Sequence, residues 1–312
     1  MGVEQTLSEL NRLLEPLAKT ERTMPELPVI LVMGSPRSGT TLMLQYLASL
    51  GLFSYPSNLI ARFWENPYLG ILVQKGISDL LTDQDKLQDF RSDLGRSEGL
   101  LAPSEFWYFW RTYFKFDDIN LLSPGELDSV DGQEFLGKLS AFEQLQGKPP
   151  VMKGMIMNWH IEYLMKLYPK FLFIHVKRDL MDSAKSLYQA REKFFKDVSK
   201  WYSFKPPEYT ELRKLPPVEQ VTGQVHYTQT AIDRQLTKIP ESNQVTIGYE
   251  TFCNDPLAFL TEVREKLALL GFNLDLSEVE RKNFEIKKKG LFPAELNDTF
   301  TQAVQKYQGK RD

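Results

Sequence analysis

The stretch Gly34-Ser-Pro-Arg-Ser-Gly39-Thr40-Thr41 has the residue types of an anion cradle. Its glycines permit a tight turn and close backbone approach. The N–H groups of a loop that opens a helix point at negative charge. The spacing is near the phosphate-loop pattern Gly-x-x-x-x-Gly-Lys-Ser/Thr. However, Thr40 stands where that pattern has lysine, and the positive charge sits inside the loop at Arg37. A nucleoside triphosphatase uses the lysine on the β- and γ-phosphates, beside Mg²⁺ held partly by an acid. A later apolar run ends Val176-Lys-Arg178-Asp179, with cations where such an acid is expected. Neutralisation of the anion by Arg and Lys, rather than by a metal, follows.

Arg178 and Ser186 form a second pair. The arginine leaves the end of an apolar run, and the serine lies eight residues on, about two turns into a helix. A cation and a hydroxyl so placed suit a second phosphate. For proton transfer there are three histidines. His175 lies inside an apolar run and reads as a core residue. His160 opens a helix. His226 lies in a polar region before a helical stretch at residues 227–236 and has the pKa for the task. Glu105, with Arg111, suits either a cavity or the first turn of a helix.

These residues need a frame. Val29-Ile-Leu-Val-Met33 is a continuous apolar run, which predicts a strand buried on both faces. Residues 150–153, 171–176 and 245–249 predict three more strands. Helical spacing marks residues 7–17, 41–50, 159–167, 181–195 and 256–270. Alternating strand and helix predicts an α/β fold, a P-loop-like parallel sheet flanked by helices on both faces. Residues 58–148 form an aromatic-rich, partly helical insertion. Core packing accounts for most of its rings, and a pocket for some. Two Pro-Pro pairs, at 206–207 and 216–217, punctuate a loop-rich segment.

The chain has 312 residues with a formal charge of −3, 42% hydrophobic and 25% charged. That composition is of the globular class, not disordered or coiled coil. A protein holding nucleic acid by charge would be basic, so nucleic acid is not an expected partner. The lone cysteine, Cys253, permits no internal disulfide and no multi-cysteine zinc site. No apolar run approaches the roughly 18 residues of a membrane span. A cytoplasmic protein is expected, with one domain spanning 1–312. Its parts are an N-terminal helix and linker (1–27), the loop unit (28–57), the insertion (58–148) and the remaining sheet with the C-terminal region (149–312). Oligomeric state is not legible.

The two anion motifs, in this order, resemble the sulfotransferases that use 3′-phosphoadenylyl sulfate (PAPS). Ser35, Pro36, Arg37, Ser38, Gly39, Thr40 and Thr41 match that family's 5′-phosphosulfate loop. Arg178 and Ser186 match its 3′-phosphate motif, spacing included. Tyr249-Glu250, then Asp255-Pro256, resemble a Tyr-Glu-Asp-Leu…Asp-Pro stretch, with Thr251-Phe252 in place of Asp-Leu. Lys289-Gly290 resemble a late element that closes on the 3′-phosphate, although Leu291-Phe-Pro replaces the usual Gly-Asp-Trp. The segment Tyr55–Phe63 is similar to soluble bacterial members, free-standing or built into polyketide assembly lines.

The resemblance implies sulfuryl transfer from PAPS to an acceptor hydroxyl or amine on a small-molecule or carrier-bound substrate, with PAP (adenosine 3′,5′-bisphosphate) as product. No metal is required. It further implies that the insertion shapes the acceptor site. Lys153, at a strand end, would stabilise leaving-group charge together with Arg37. Many members carry a histidine two residues after that lysine, where this chain has Met155. Another branch carries a glutamate about twenty residues past the loop arginine, where this chain has Asn58. The expected base is therefore His226, with His160 and Glu105 behind it. The rivals are a P-loop small-molecule kinase and a nucleotide-binding protein without catalysis.

Overall fold

The computed structural model describes residues 2–17, 24–78, 80, 92–93, 96–286 and 292–309. The first apolar run forms β1 (Val29–Gly34). A short antiparallel ribbon, β2 (Ser92–Asp93) with β3 (Arg96–Ser97), stands apart. β4 (Val151–Lys153), β5 (Phe171–Lys177) and β6 (Gln244–Gly248) complete the main sheet. Its order is β4-β1-β5-β6, and every pairing is parallel. Leu31 of β1 is in register with Met152 and with Phe173.

β1 is buried along its whole length, and its side chains alternate between two cores. Val29, Leu31 and Met33 enter one cluster, Ile30 and Val32 the other. β5 repeats the division, with Phe171 and Phe173 on the first side and Leu172, Ile174 and Val176 on the second. A parallel sheet needs such covering on both faces.

The helices provide it. α1 (Val3–Leu14) precedes the sheet, and α2 (Thr40–Ser49) follows β1. The aromatic segment supplies α3 (Pro67–Ser78), α4 (Trp107–Tyr113), α5 (Pro124–Asp128) and α6 (Gly132–Gln146). Phe109, Trp110, Phe114, Phe135 and Phe142 are at most 1% exposed and fill the first cluster. Most of the rings in this segment are therefore sheet packing. Truncating one of them to alanine costs about 3–5 kcal/mol.

The remaining helices are α7 (Ile161–Leu167), α8 (Leu180–Phe195), α9 (Tyr209–Leu212), α10 (Pro217–Leu236), α11 (Tyr249–Asn254), α12 (Pro256–Leu269) and α13 (Ala294–Gln308). α10 differs from expectation, because the helix begins ten residues before Tyr227. Pro217 occupies its first turn, where a missing N–H is harmless. Val218, Val221 and Val225 then form a buried stripe at helical spacing. Tyr249 opens α11 instead of closing β6. Asp255-Pro256 is a helix start: the Asp255 side chain accepts from the Ala258 N–H at 3.0 Å, and proline takes the first position. Among the described residues, no helix is long and apolar enough to cross a membrane.

Candidate active site

The carboxyl ends of four parallel strands deliver the site, as open α/β sheets place ligands. β1 ends at Gly34 and leads into the loop. β4 ends on Lys153, β5 is followed by Arg178, and β6 by Tyr249.

The loop is built for close contact. Arg37 has φ 71° and Gly39 φ 102°, both in the left-handed region. A Cβ on Gly39 would lie 2.3 Å from Cδ2 of Tyr249, so only glycine fits beneath that ring. Ser35 and Ser38 are fully buried, and neither hydroxyl has a protein partner. Unpartnered buried hydroxyls are costly by about 1–3 kcal/mol each unless a ligand engages them. The loop leads directly into the N-terminus of α2, where a helix presents backbone N–H groups.

Arg37 joins the two sequence motifs. Its Nε donates to Ser186 Oγ at 3.0 Å, and its carbonyl accepts from Arg178 Nη1 at 3.4 Å. Arg178 lies over the Tyr249 ring, 4.5 Å from its centroid. Its side chain is 7% exposed and is flanked by Glu250 at 3.8 Å and Asp182 at 4.0 Å. Burial pushes the Tyr249 hydroxyl up to about 12. Arg37, Arg178, Ser186 and Tyr249 thus share one place. Lys289 and Gly290 lie outside the described residues.

Lys153 is held on three sides. Trp110 Nε1 donates to its carbonyl at 3.0 Å. Its Nζ donates at 2.7 Å to Thr41 Oγ1 and at 2.7 Å to Glu105 Oε1. The other Glu105 oxygen accepts from Trp107 Nε1. Between them, Phe106 adopts φ 55°, a strained conformation for a non-glycine residue. That turn buries the Phe106 ring and leaves residues 105 and 107 touching each other. Burial alone would raise the Glu105 carboxyl. The charge and hydrogen bond of Lys153, the Trp107 N–H and the charge of Arg37 outweigh it and hold the carboxyl below its ordinary value. Glu105, Trp107, Lys153 and Met155 also line one small cavity.

The histidines stand elsewhere. His226 lies within α10, and its ring packs on Tyr227 and on Tyr307 of α13. The polar region expected before residue 227 is in fact helix, because the valine stripe of residues 218–225 packs against α8 and α13. His160 Nε2 accepts from the Leu122 N–H at 3.1 Å, and burial pushes its imidazole down to about 4. His175 is wholly buried, with Nδ1 3.4 Å from Asp233 Oδ1. Met155, at the position a histidine would take, accepts the Thr40 hydroxyl on its sulfur at 3.1 Å. Asn58 holds the backbone, donating to the carbonyls of Ser97 and Gly99 at 3.1 and 2.9 Å. The structure therefore brings Glu105 to Lys153. The sequence signal for that meeting is an acid beside an aromatic helix, and Glu105 lies just before α4 rather than in its first turn, because the helix starts at Trp107.

A profile described as "Sulfotransferase family" matches residues 28–270. Sulfotransferase STF1 from Mycobacterium tuberculosis H37Rv superposes with a TM-score of 0.53 at 13% identity, over 96% of this chain and 81% of that one. Sulfotransferase STF9 from Mycobacterium avium gives 0.49 at 16%, over 95% and 79%. The sulfotransferase domain from the curacin biosynthetic pathway gives 0.42 at 16%, over 78% and 75%. No curated protein matches the chain in sequence. The profile match covers more than half of the chain, and its fold is that of the Mycobacterium tuberculosis enzyme: the chain belongs to the sulfotransferase family.

Proposed function

We propose that the chain transfers a sulfuryl group from PAPS to the hydroxyl, or amine, of a small-molecule or carrier-bound acceptor and releases PAP. The observation that carries this reading is the meeting of Glu105, Lys153 and Thr41 at the mouth of the Arg37 loop. The residues fit the donor: two buried hydroxyls without protein partners, Ser35 and Ser38, lie in the loop, and Arg37, Arg178 and Ser186 adjoin it. Bound there, the donor supplies a sulfuryl group already attached to a phosphate leaving group.

The chain's residues do the rest. Arg37 and the loop N–H groups bind the 5′ end, and Arg178 with Ser186 binds the 3′-phosphate. Lys153 places a fixed cation where charge develops on the departing phosphate. Such preorganised charge contributes on the order of 10²–10³ in rate per group. Glu105 is the base in this reading. As the acceptor oxygen bonds to sulfur and the sulfur–phosphate oxygen bond breaks, Glu105 takes the acceptor's proton and later yields it to solvent. A positioned base adds about 10²–10⁴. The cations leave no role that requires a metal.

The test is direct. PAP raises the melting temperature without Mg²⁺, and labelled sulfate moves from PAPS to pooled alcohols. Stabilisation by ATP with Mg²⁺ but not by PAP would overturn the reading.

A further inference from the structure

Across Trp107 from the Glu105 cavity lies a second cleft of about 260 Å³, open to solvent. One wall is α1, through Glu4, Leu7 and Ser8, and the other is Trp64, Phe106, Trp107 and Tyr108. Trp107 also lines the small cavity with Glu105 and Lys153, so one indole borders both spaces. Trp64 and Tyr108 lie ring to ring, 4.9 Å apart and tilted by 31°, as a continuous aromatic surface.

Apart from the exposed Ser8 and Arg62, the polar groups of this cleft are engaged by the protein itself. The Asn58 amide N–H groups bond to the carbonyls of Ser97 and Gly99. Tyr108 donates its hydroxyl to Glu4 Oε1 at 2.5 Å. Ser104 Oγ accepts from the Phe106 N–H at 3.3 Å, and Trp107 Nε1 is on Glu105. A sugar or polyol bound here would leave hydroxyls poorly matched, and unmatched buried hydroxyls are penalised. An apolar body has no such hydroxyls to leave unmatched and gains burial against four rings.

We infer that this cleft is the acceptor site and that the acceptor is an alcohol on an apolar chain, with its hydroxyl at Glu105 and its tail between Leu7 and Trp64. This deepens the sulfuryl-transfer reading and rests on it for the chemistry, while the binding claim stands on the cleft alone. α1 is held over the cleft by polar clamps. Asn11 donates to the carbonyls of Leu7 and Arg62 at 2.8 Å each and accepts from the Glu65 N–H at 3.1 Å. Leu7 is the residue of α1 that lines the cleft and packs against the first core, so it sets the length of chain admitted.

The experiment titrates 1-alkanols of four to ten carbons into the full chain and follows tryptophan fluorescence, with sorbitol as competitor. Affinity is expected to tighten about two- to fourfold per methylene up to a limiting length. Leu7→Asp is expected to weaken the longest alkanol at least tenfold without changing PAP affinity. Leu7→Trp keeps α1 apolar and is expected to shorten the limiting chain by two or more carbons. With PAPS present, the best-binding alkanol is also the best acceptor. A flat series, equal competition by sorbitol, or a limit that Leu7→Trp does not move overturns the assignment. PAP binding is scored separately: its absence sinks the sulfuryl reading, whereas the chain-length series decides the cleft.

Discussion

Lys153 and Glu105 meet at 2.7 Å but are unequally hidden, the lysine side chain 4% exposed and the glutamate 37%. The pair is a buried cation presented to a half-open carboxylate. The cation faces Thr41 of the loop, and the carboxylate lines the small cavity that Trp107 and Met155 also line. One ion pair therefore spans the donor and acceptor ends of the proposed reaction.

Lys153→Met keeps most of the stem and removes the charge. We expect kcat to fall by about 10²–10³, the scale of one preorganised charge. PAP affinity should change far less, because Arg37 and Arg178 remain. Steady-state kinetics together with PAP titration separates the two effects. A large loss of PAP affinity with kcat preserved would assign Lys153 to binding alone.

The base can be identified from pH. The Glu105 carboxyl is held below its ordinary value, so it is ionised throughout the neutral range. The acidic limb of kcat/KM should then lie below about 4.3, the unperturbed glutamate value. A histidine base would instead give an inflection near 6.5. Glu105→Gln should lower kcat by about 10²–10⁴ and leave no such limb. The same depression makes Glu105 stabilising above the unfolded-state pKa, a contribution lost as pH falls through the folded value. Wild-type stability should thus drop more on acidification than that of Glu105→Gln.

Arg178→Ala should weaken PAP binding about ten- to hundredfold, the worth of hydrogen bonds to a charged group. Ser186→Ala should cost about three- to tenfold, since it removes the hydroxyl that accepts from Arg37 Nε. Calorimetric titration measures both. If neither variant changes PAP affinity, the 3′-phosphate lies elsewhere.

Gly39→Ala puts a methyl against the Tyr249 ring and forces alanine to φ 102°. We expect loss of PAP binding and a melting temperature several degrees lower, since such strain costs about 1–3 kcal/mol. Gly39→Ala should cost less stability in a Tyr249→Ala background than in the wild type, because the ring is gone while the φ penalty stays. An equal cost in both backgrounds would show that backbone strain alone is responsible.

Several features are legible in short stretches of sequence. The left-handed glycine turn, the buried strand before it and the capped helix start at Asp255-Pro256 depend on windows of ten residues or fewer. Turn chemistry, capping and strand burial are local, and the residue types declare them. The start of α10 is obscured for a local reason too: Pro-Pro reads as a break, yet the second proline suits a first helical turn.

The sequence by itself determined the family-like anion loop, the parallel α/β frame and the cations that could neutralise a phosphate-rich ligand. Only the tertiary structure decided which residues meet. Lys153 reaches Thr41 across 112 positions and Glu105 across 48, and Arg37 reaches Ser186 across 149. No periodicity encodes such distances. They arise because parallel strands discharge their carboxyl ends on one edge of the sheet, and because Trp110 and the strained turn at Phe106 carry Glu105 to that edge. His226 has the right chemistry but is folded into the α10–α13 packing, whereas Glu105 has an ordinary sequence context and is placed at the site.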